Sequence, residues 1–92
     1  MFINNNFNVI GEEITITVTM PGGERLSLSV TSLDTLIELR KKIEELSGKS
    51  LNNQILMSGS IELIGSKNLK QLNIEDGASL TIKTNNIKGT FL

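Results

Sequence analysis

The chain has 92 residues, 38% hydrophobic and 21% charged, with nine Lys and Arg against ten Asp and Glu, which is the composition of one folded domain and too short for two. Charge is nearly balanced and Arg40-Lys41-Lys42 is the one basic cluster, so the electrostatic footprint of a nucleic-acid binder is missing. There is no Cys, His, Trp or Tyr, which removes disulfides, thiolate and imidazole metal ligands, and the commonest bases and nucleophiles.

Residues 1–12 are rich in Asn with isolated Phe2, Ile3, Phe7, Val9 and Ile10, and read as an N-terminal extension. Two alternatives stand for it: a disordered tail, or a short edge strand in which Phe7, Val9 and Gly11 alternate with their neighbours. The stretch from Met1 to Ile10 carries no basic residue, and no apolar run reaches membrane-spanning length. Neither a secretory signal nor a membrane partner is expected, and the default location is cytoplasmic or nuclear.

From Ile14 the pattern alternates strictly, with Ile14, Ile16 and Val18 on one side and Thr15, Thr17 and Thr19 on the other. β-Branched residues at period two predict a half-buried strand. Pro21-Gly22-Gly23 is a turn signal, after which Leu26, Leu28 and Val30 alternate with Ser27, Ser29 and Thr31, completing an amphipathic hairpin.

The period then lengthens. Leu36, Leu39, Ile43 and Leu46 share one stripe of a helix. Thr35 and Glu38 have the spacing of a capping box, and Gly48 suits the left-handed position beyond the last turn. Glu38 with Lys42, Arg40 with Glu44 and Lys41 with Glu45 are four residues apart, which predicts weak ion pairs along a solvated face.

Gln54 to Met57, the turn Ser58-Gly59-Ser60, and Ile61 to Leu63 read as a strand, a tight turn and a very short strand. A loop through Gly65 carries Leu69, Leu72 and Ile74; Asp76-Gly77 turns the chain; Leu80 and Ile82 then alternate with Ser79, Thr81 and Lys83 as a last strand. The predicted order is β-β-α-β-β-β, an α+β domain in which one helix covers one face of a mixed four- to five-stranded sheet.

Catalysis has no visible foothold in this order. A serine nucleophile would need a neighbouring Lys or terminal amine as base, and no motif supplies one. The pairs Glu12-Glu13, Glu44-Glu45 and Glu75-Asp76 are adjacent in sequence and do not converge on a point. Pro21-Gly22-Gly23 lacks the Lys-Ser/Thr of a phosphate-binding loop, and no calcium-loop spacing occurs. The chain is expected to be non-enzymatic, with no cofactor and no metal.

Set in this order, Ile14-Thr-Ile-Thr-Val18, Leu26-Ser-Leu-Ser-Val30, Asp34-Thr35, Lys42-Ile43, Gly48, Gln54-Ile-Leu56, Leu63, Asn68-Leu69, Asn73-Ile74 and Ser79-Leu80-Thr-Ile82 resemble the ubiquitin superfamily. The likeness runs from Glu13 to Gly89 without insertion or deletion. It implies a ubiquitin-like β-grasp over residues 13–84, with 85–92 as a flexible tail.

The resemblance implies a role too, that of a protein recognised by other proteins. The family's recognition patch, an apolar cluster on the open sheet face, corresponds here to Pro21, Met57, Thr81 and Lys83, with Ile55 beside Met57 where ubiquitin itself has a basic residue. Ile55 and Met57 would form a smaller, shifted patch, or would lie beneath the Asn-rich extension. Of the lysines that link ubiquitin chains only Lys42 has a counterpart, leaving it as the matching acceptor. Gly89 falls at the terminal glycine through which covalent modifiers of the family are joined, but Thr90-Phe91-Leu92 follow and would have to be removed. Two roles are implied: a non-covalent interaction module, expected to be a monomer, or a conjugated modifier. The partners would be domains that recognise the ubiquitin fold, or conjugating enzymes.

Overall fold

A computed structural model describes residues 11–84, so the predictions for residues 1–10 and for the tail with Gly89 fall outside the described residues. Its elements are β1 (Glu13–Thr19), β2 (Arg25–Thr31), α1 (Leu36–Ser47), β3 (Gln54–Ser58), β4 (Ile61–Glu62) and β5 (Ser79–Thr84). They form a five-stranded sheet in the order β2-β1-β5-β3-β4. β1 pairs antiparallel with β2 and parallel with β5, while β3 is antiparallel to both β5 and β4. This is the mixed sheet and single helix of the β-grasp fold.

The alternating residues divide as the period-two pattern requires. Ile14, Ile16, Val18, Leu28, Val30, Leu56, Leu80 and Ile82 are buried, and Leu36, Leu39 and Ile43 of α1 complete the core from the other side. Met20, Leu51, Leu63, Leu69 and Ile74 close its ends. Those last residues come from turns and loops, where no periodicity announces burial.

The helix begins as predicted. The Thr35 N–H donates to Glu38 Oε1 at 2.8 Å and the Glu38 N–H to Thr35 Oγ1 at 3.5 Å, a reciprocal box that satisfies two otherwise orphaned donors. Gly48 ends the helix with φ 71°, and its N–H donates to the Glu44 carbonyl, a left-handed closure that costs glycine nothing.

Two expectations for the helix fail. Leu46 is 59% exposed, at the rim of an open groove that the last turns of α1 share with Ser27, Leu28 and Ser29 of β2. The predicted pairs along the helix are also absent among the described residues, and the members of the first two, Glu38 with Lys42 and Arg40 with Glu44, are engaged elsewhere. Glu38 serves the cap. Arg40 Nη2 donates to the carbonyls of Leu51 and Gln54 at 2.9 and 3.0 Å, and Glu44 Oε2 accepts the Leu51 N–H at 2.7 Å. Lys42 lies 3.7 Å from Asp34. Arg40 and Glu44 fasten the connection between α1 and β3, where carbonyl and amide groups withdrawn from water need partners more than an exposed helix needs weak pairs.

At the start of β1, the Ser32 N–H donates to the Glu12 carbonyl at 2.8 Å and the Glu12 N–H to Ser32 Oγ at 2.9 Å. Ser32 is thus buried with its hydroxyl satisfied. Glu12, read from the sequence as part of the extension, is bonded to the domain by this exchange. Beyond it, residues 68–74 wrap the base of the helix through Leu69 N–H to the Asp34 carbonyl and Lys70 N–H to the Ser32 carbonyl, both at 2.9 Å.

Candidate recognition surface on the outer sheet face

Because Leu56 and Ile82 face the helix, their odd-numbered neighbours on β3 and β5 face away from it. Register then decides which of them meet. Ile55 is opposite Lys83 and Met57 opposite Thr81, while Thr81 is also opposite Thr19 of β1 and Met57 opposite Glu62 of β4. Residues directly opposite on paired strands present their side chains on the same face. Ile55, Met57, Thr81 and Lys83 are therefore two adjacent rungs of one ladder.

Their exposure follows from what surrounds them. Ile55 and Met57 are half-buried, and Thr81 and Lys83 are exposed. Elsewhere on this face β1 contributes Thr15, Thr17 and Thr19 and β2 contributes Ser27 and Ser29, so the two aliphatic side chains lie in an otherwise hydroxyl-rich surface. A flexible thioether beside a branched aliphatic chain is well suited to repacking against a docking protein.

Pro21 stands in the turn between β1 and β2. The backbone there is tied by the Met20 N–H to the Glu24 carbonyl at 2.7 Å and the Gly23 N–H to the Met20 carbonyl at 2.8 Å, with Gly23 at φ 97°. This holds Pro21 against a shallow depression of about 460 Å³ that Thr81 and Lys83 also line. All five residues picked from the sequence thus come together on one side of the sheet.

Lys42 lies elsewhere, on the helix, where its amine faces Asp34 and donates to the Ser29 carbonyl at 3.4 Å. Ile61 and Ile64, 65% and 70% exposed, were not singled out in the sequence. Ile61 is opposite Ser58, which assigns it to the face away from Met57, so it does not enlarge the patch. A two-residue strand is too short for alternation to reveal its inner side.

The comparisons agree with this architecture. The sequence model of the ubiquitin family matches residues 16–86. A designed protein based on ubiquitin superposes with a TM-score of 0.75 at 25% identity, covering 82% of this chain and 92% of that one. The ubiquitin-like domain of an Arabidopsis thaliana protein, solved by solution NMR, gives a TM-score of 0.75 at 20% identity over 94% of this chain and 92% of that one, a likeness of fold. A Mus musculus protein, 2'-5'-oligoadenylate synthase-like protein 2, is 34% identical over 64 residues, which are 70% of this chain and 13% of that protein. The family match runs from within β1 through the helix and the other four strands, and the chain belongs to the ubiquitin family.

Proposed function

We propose that the chain is a non-catalytic interaction module, recognised by a partner protein through Ile55 and Met57 with Thr81, Lys83 and Pro21 around them. The observation that supports this most is the register that aligns two half-buried apolar side chains with exposed Thr81 and Lys83. Apolar anchors ringed by polar groups are the usual centre of a protein interface. The module works in the cytoplasm or nucleus, where domains that read the ubiquitin fold are its partners.

The test is an NMR titration of the labelled chain with isolated ubiquitin-recognising helical domains. Shifts confined to residues 55, 57, 81 and 83, and their disappearance in Met57→Asp with the remaining spectrum intact, are the expected result. Shifts centred on α1, or equal affinity in Met57→Asp, would refute this surface.

A second reading rests on Gly89. The family match reaches residue 86, and Gly89 follows shortly with Thr90-Phe91-Leu92 beyond it. On this reading the protein is a covalent modifier joined through Gly89 after those three residues are removed. Intact masses from the native host decide it: adducts that vanish in Gly89→Ala support conjugation, and full-length protein alone rejects it.

A further inference from the structure

β2 is an outer strand of the sheet, and its free edge is closed along only part of its length. The Ser32 N–H to Glu12 carbonyl and Met20 N–H to Glu24 carbonyl bonds set the phase of the β1–β2 ladder. In that phase Leu26, Leu28 and Val30 turn their backbone groups to β1, and Arg25, Ser27, Ser29 and Thr31 turn theirs outward. At Thr31 both outward groups are used, since Asp34 Oδ2 accepts its N–H at 3.1 Å and the Asp34 N–H donates to its carbonyl at 3.0 Å. The Ser29 carbonyl accepts from Lys42 at 3.4 Å. Among the described residues the outward groups of Arg25 and Ser27, and the Ser29 N–H, have no partner. Natural sheets usually guard such an edge with charge, proline or a bulge, and between Arg25 and Thr31 the side chains are uncharged.

We propose that the occupant of this edge is a second copy of the chain, paired antiparallel through β2 about a two-fold axis at Ser27. This register sets Arg25 opposite Ser29 of the other copy and Ser27 opposite its counterpart, so it uses the open groups, adds a second donor to the Ser29 carbonyl that Lys42 reaches at 3.4 Å, and stops where Asp34 has closed the edge. It also brings opposite charges together. Ser29 Oγ donates to Glu13 Oε2, which holds that carboxylate beside Ser29 on the outer face; Arg25, exposed on the same face, meets it across the axis twice. On the helix side, a groove of about 370 Å³ lined by Ser27, Leu28, Ser29, Lys42, Glu45 and Leu46 leaves room for the half-buried Leu26 of the other copy. The exposed Leu46 gains apolar cover there.

A two-fold axis perpendicular to the sheet keeps both outer faces on the same side. The dimer therefore presents two copies of the Ile55 and Met57 surface in one plane, the geometry that raises avidity for a partner with repeated sites. It replaces the monomer expected from the sequence.

Sedimentation of the full chain over a concentration series, with amide exchange measured alongside, tests the pairing. The wild type is expected to dimerise reversibly, with the Ser27 amide exchanging fast when dilute and slowly when concentrated. Ser27→Pro removes an outward N–H that β1 does not use, so it keeps the fold and abolishes the dimer. Arg25→Glu and Glu13→Arg each weaken dimerisation about tenfold or more, and the double exchange restores it. Rescue can only arise between copies, because Arg25 and Glu13 lie at opposite ends of the hairpin, opposite Thr19 and Thr31. A wild type still monomeric at about 1 mM, a dimer that survives Ser27→Pro, or Ser27 protection independent of concentration, which marks cover by the same chain, would overturn the proposal.

Discussion

Arg40→Met separates two accounts of what the helix charges do. As one half of a pair with Glu44 along an exposed helix, Arg40 would contribute a few tenths of a kcal/mol, and salt would screen it. In the structure its Nη2 instead bridges the carbonyls of Leu51, a core residue, and Gln54, the first residue of β3. Hydrogen bonds from a charged donor contribute about 1.5–3 kcal/mol each; sharing one nitrogen and partial access to water bring the pair to about 2 kcal/mol. Methionine keeps the aliphatic stem and removes the donor, so the substitution isolates the clamp. For a domain of this size that loss lowers Tm by roughly 8–16 °C. Urea denaturation at low and high salt is the assay, read as a fall in the midpoint with unchanged slope. A loss below about 0.5 kcal/mol, or one that disappears in high salt, would refute the clamp and return Arg40 to the helix surface.

Other substitutions probe the remaining links. Gly11→Ala builds a Cβ 2.7 Å from the Leu33 backbone nitrogen and 2.8 Å from Ser32 Oγ, and overpacking of this kind lowers stability by about 1–3 kcal/mol in thermal unfolding. Leu39→Ala, at a fully enclosed site, costs about 2–5 kcal/mol by urea denaturation. Leu46→Ala, on the stripe that the sequence treats as equivalent, stays within about 0.5 kcal/mol at micromolar concentration.

Local patterning carried most of the fold. Strict alternation in β1, β2 and β5 marked the inner residues, the Thr35-Glu38 spacing marked the start of α1, and the glycine at 48 marked its end. Each of these depends on neighbours within one or two turns of chain, so the sequence by itself determined them. The outer face of β3 was legible through resemblance, since Ile55 and Met57 interrupt a surface that the alternation alone would leave polar.

Tertiary structure decided what lies beyond that range. Leu46 is exposed although Leu36, Leu39 and Ile43 of the same stripe are buried, and helical period carries no information about which part of a stripe the rest of the fold covers. Which acceptor Arg40 chooses depends on carbonyls 11 and 14 residues away, whose need for a partner appears only when the connection to β3 folds over them. The alignment of Met57 with Thr81 and of Ile55 with Lys83 is likewise a matter of register between strands far apart in the chain. A slip of one residue would turn both apolar side chains to the opposite face, so the surface proposed for recognition depends on the whole sheet holding that register.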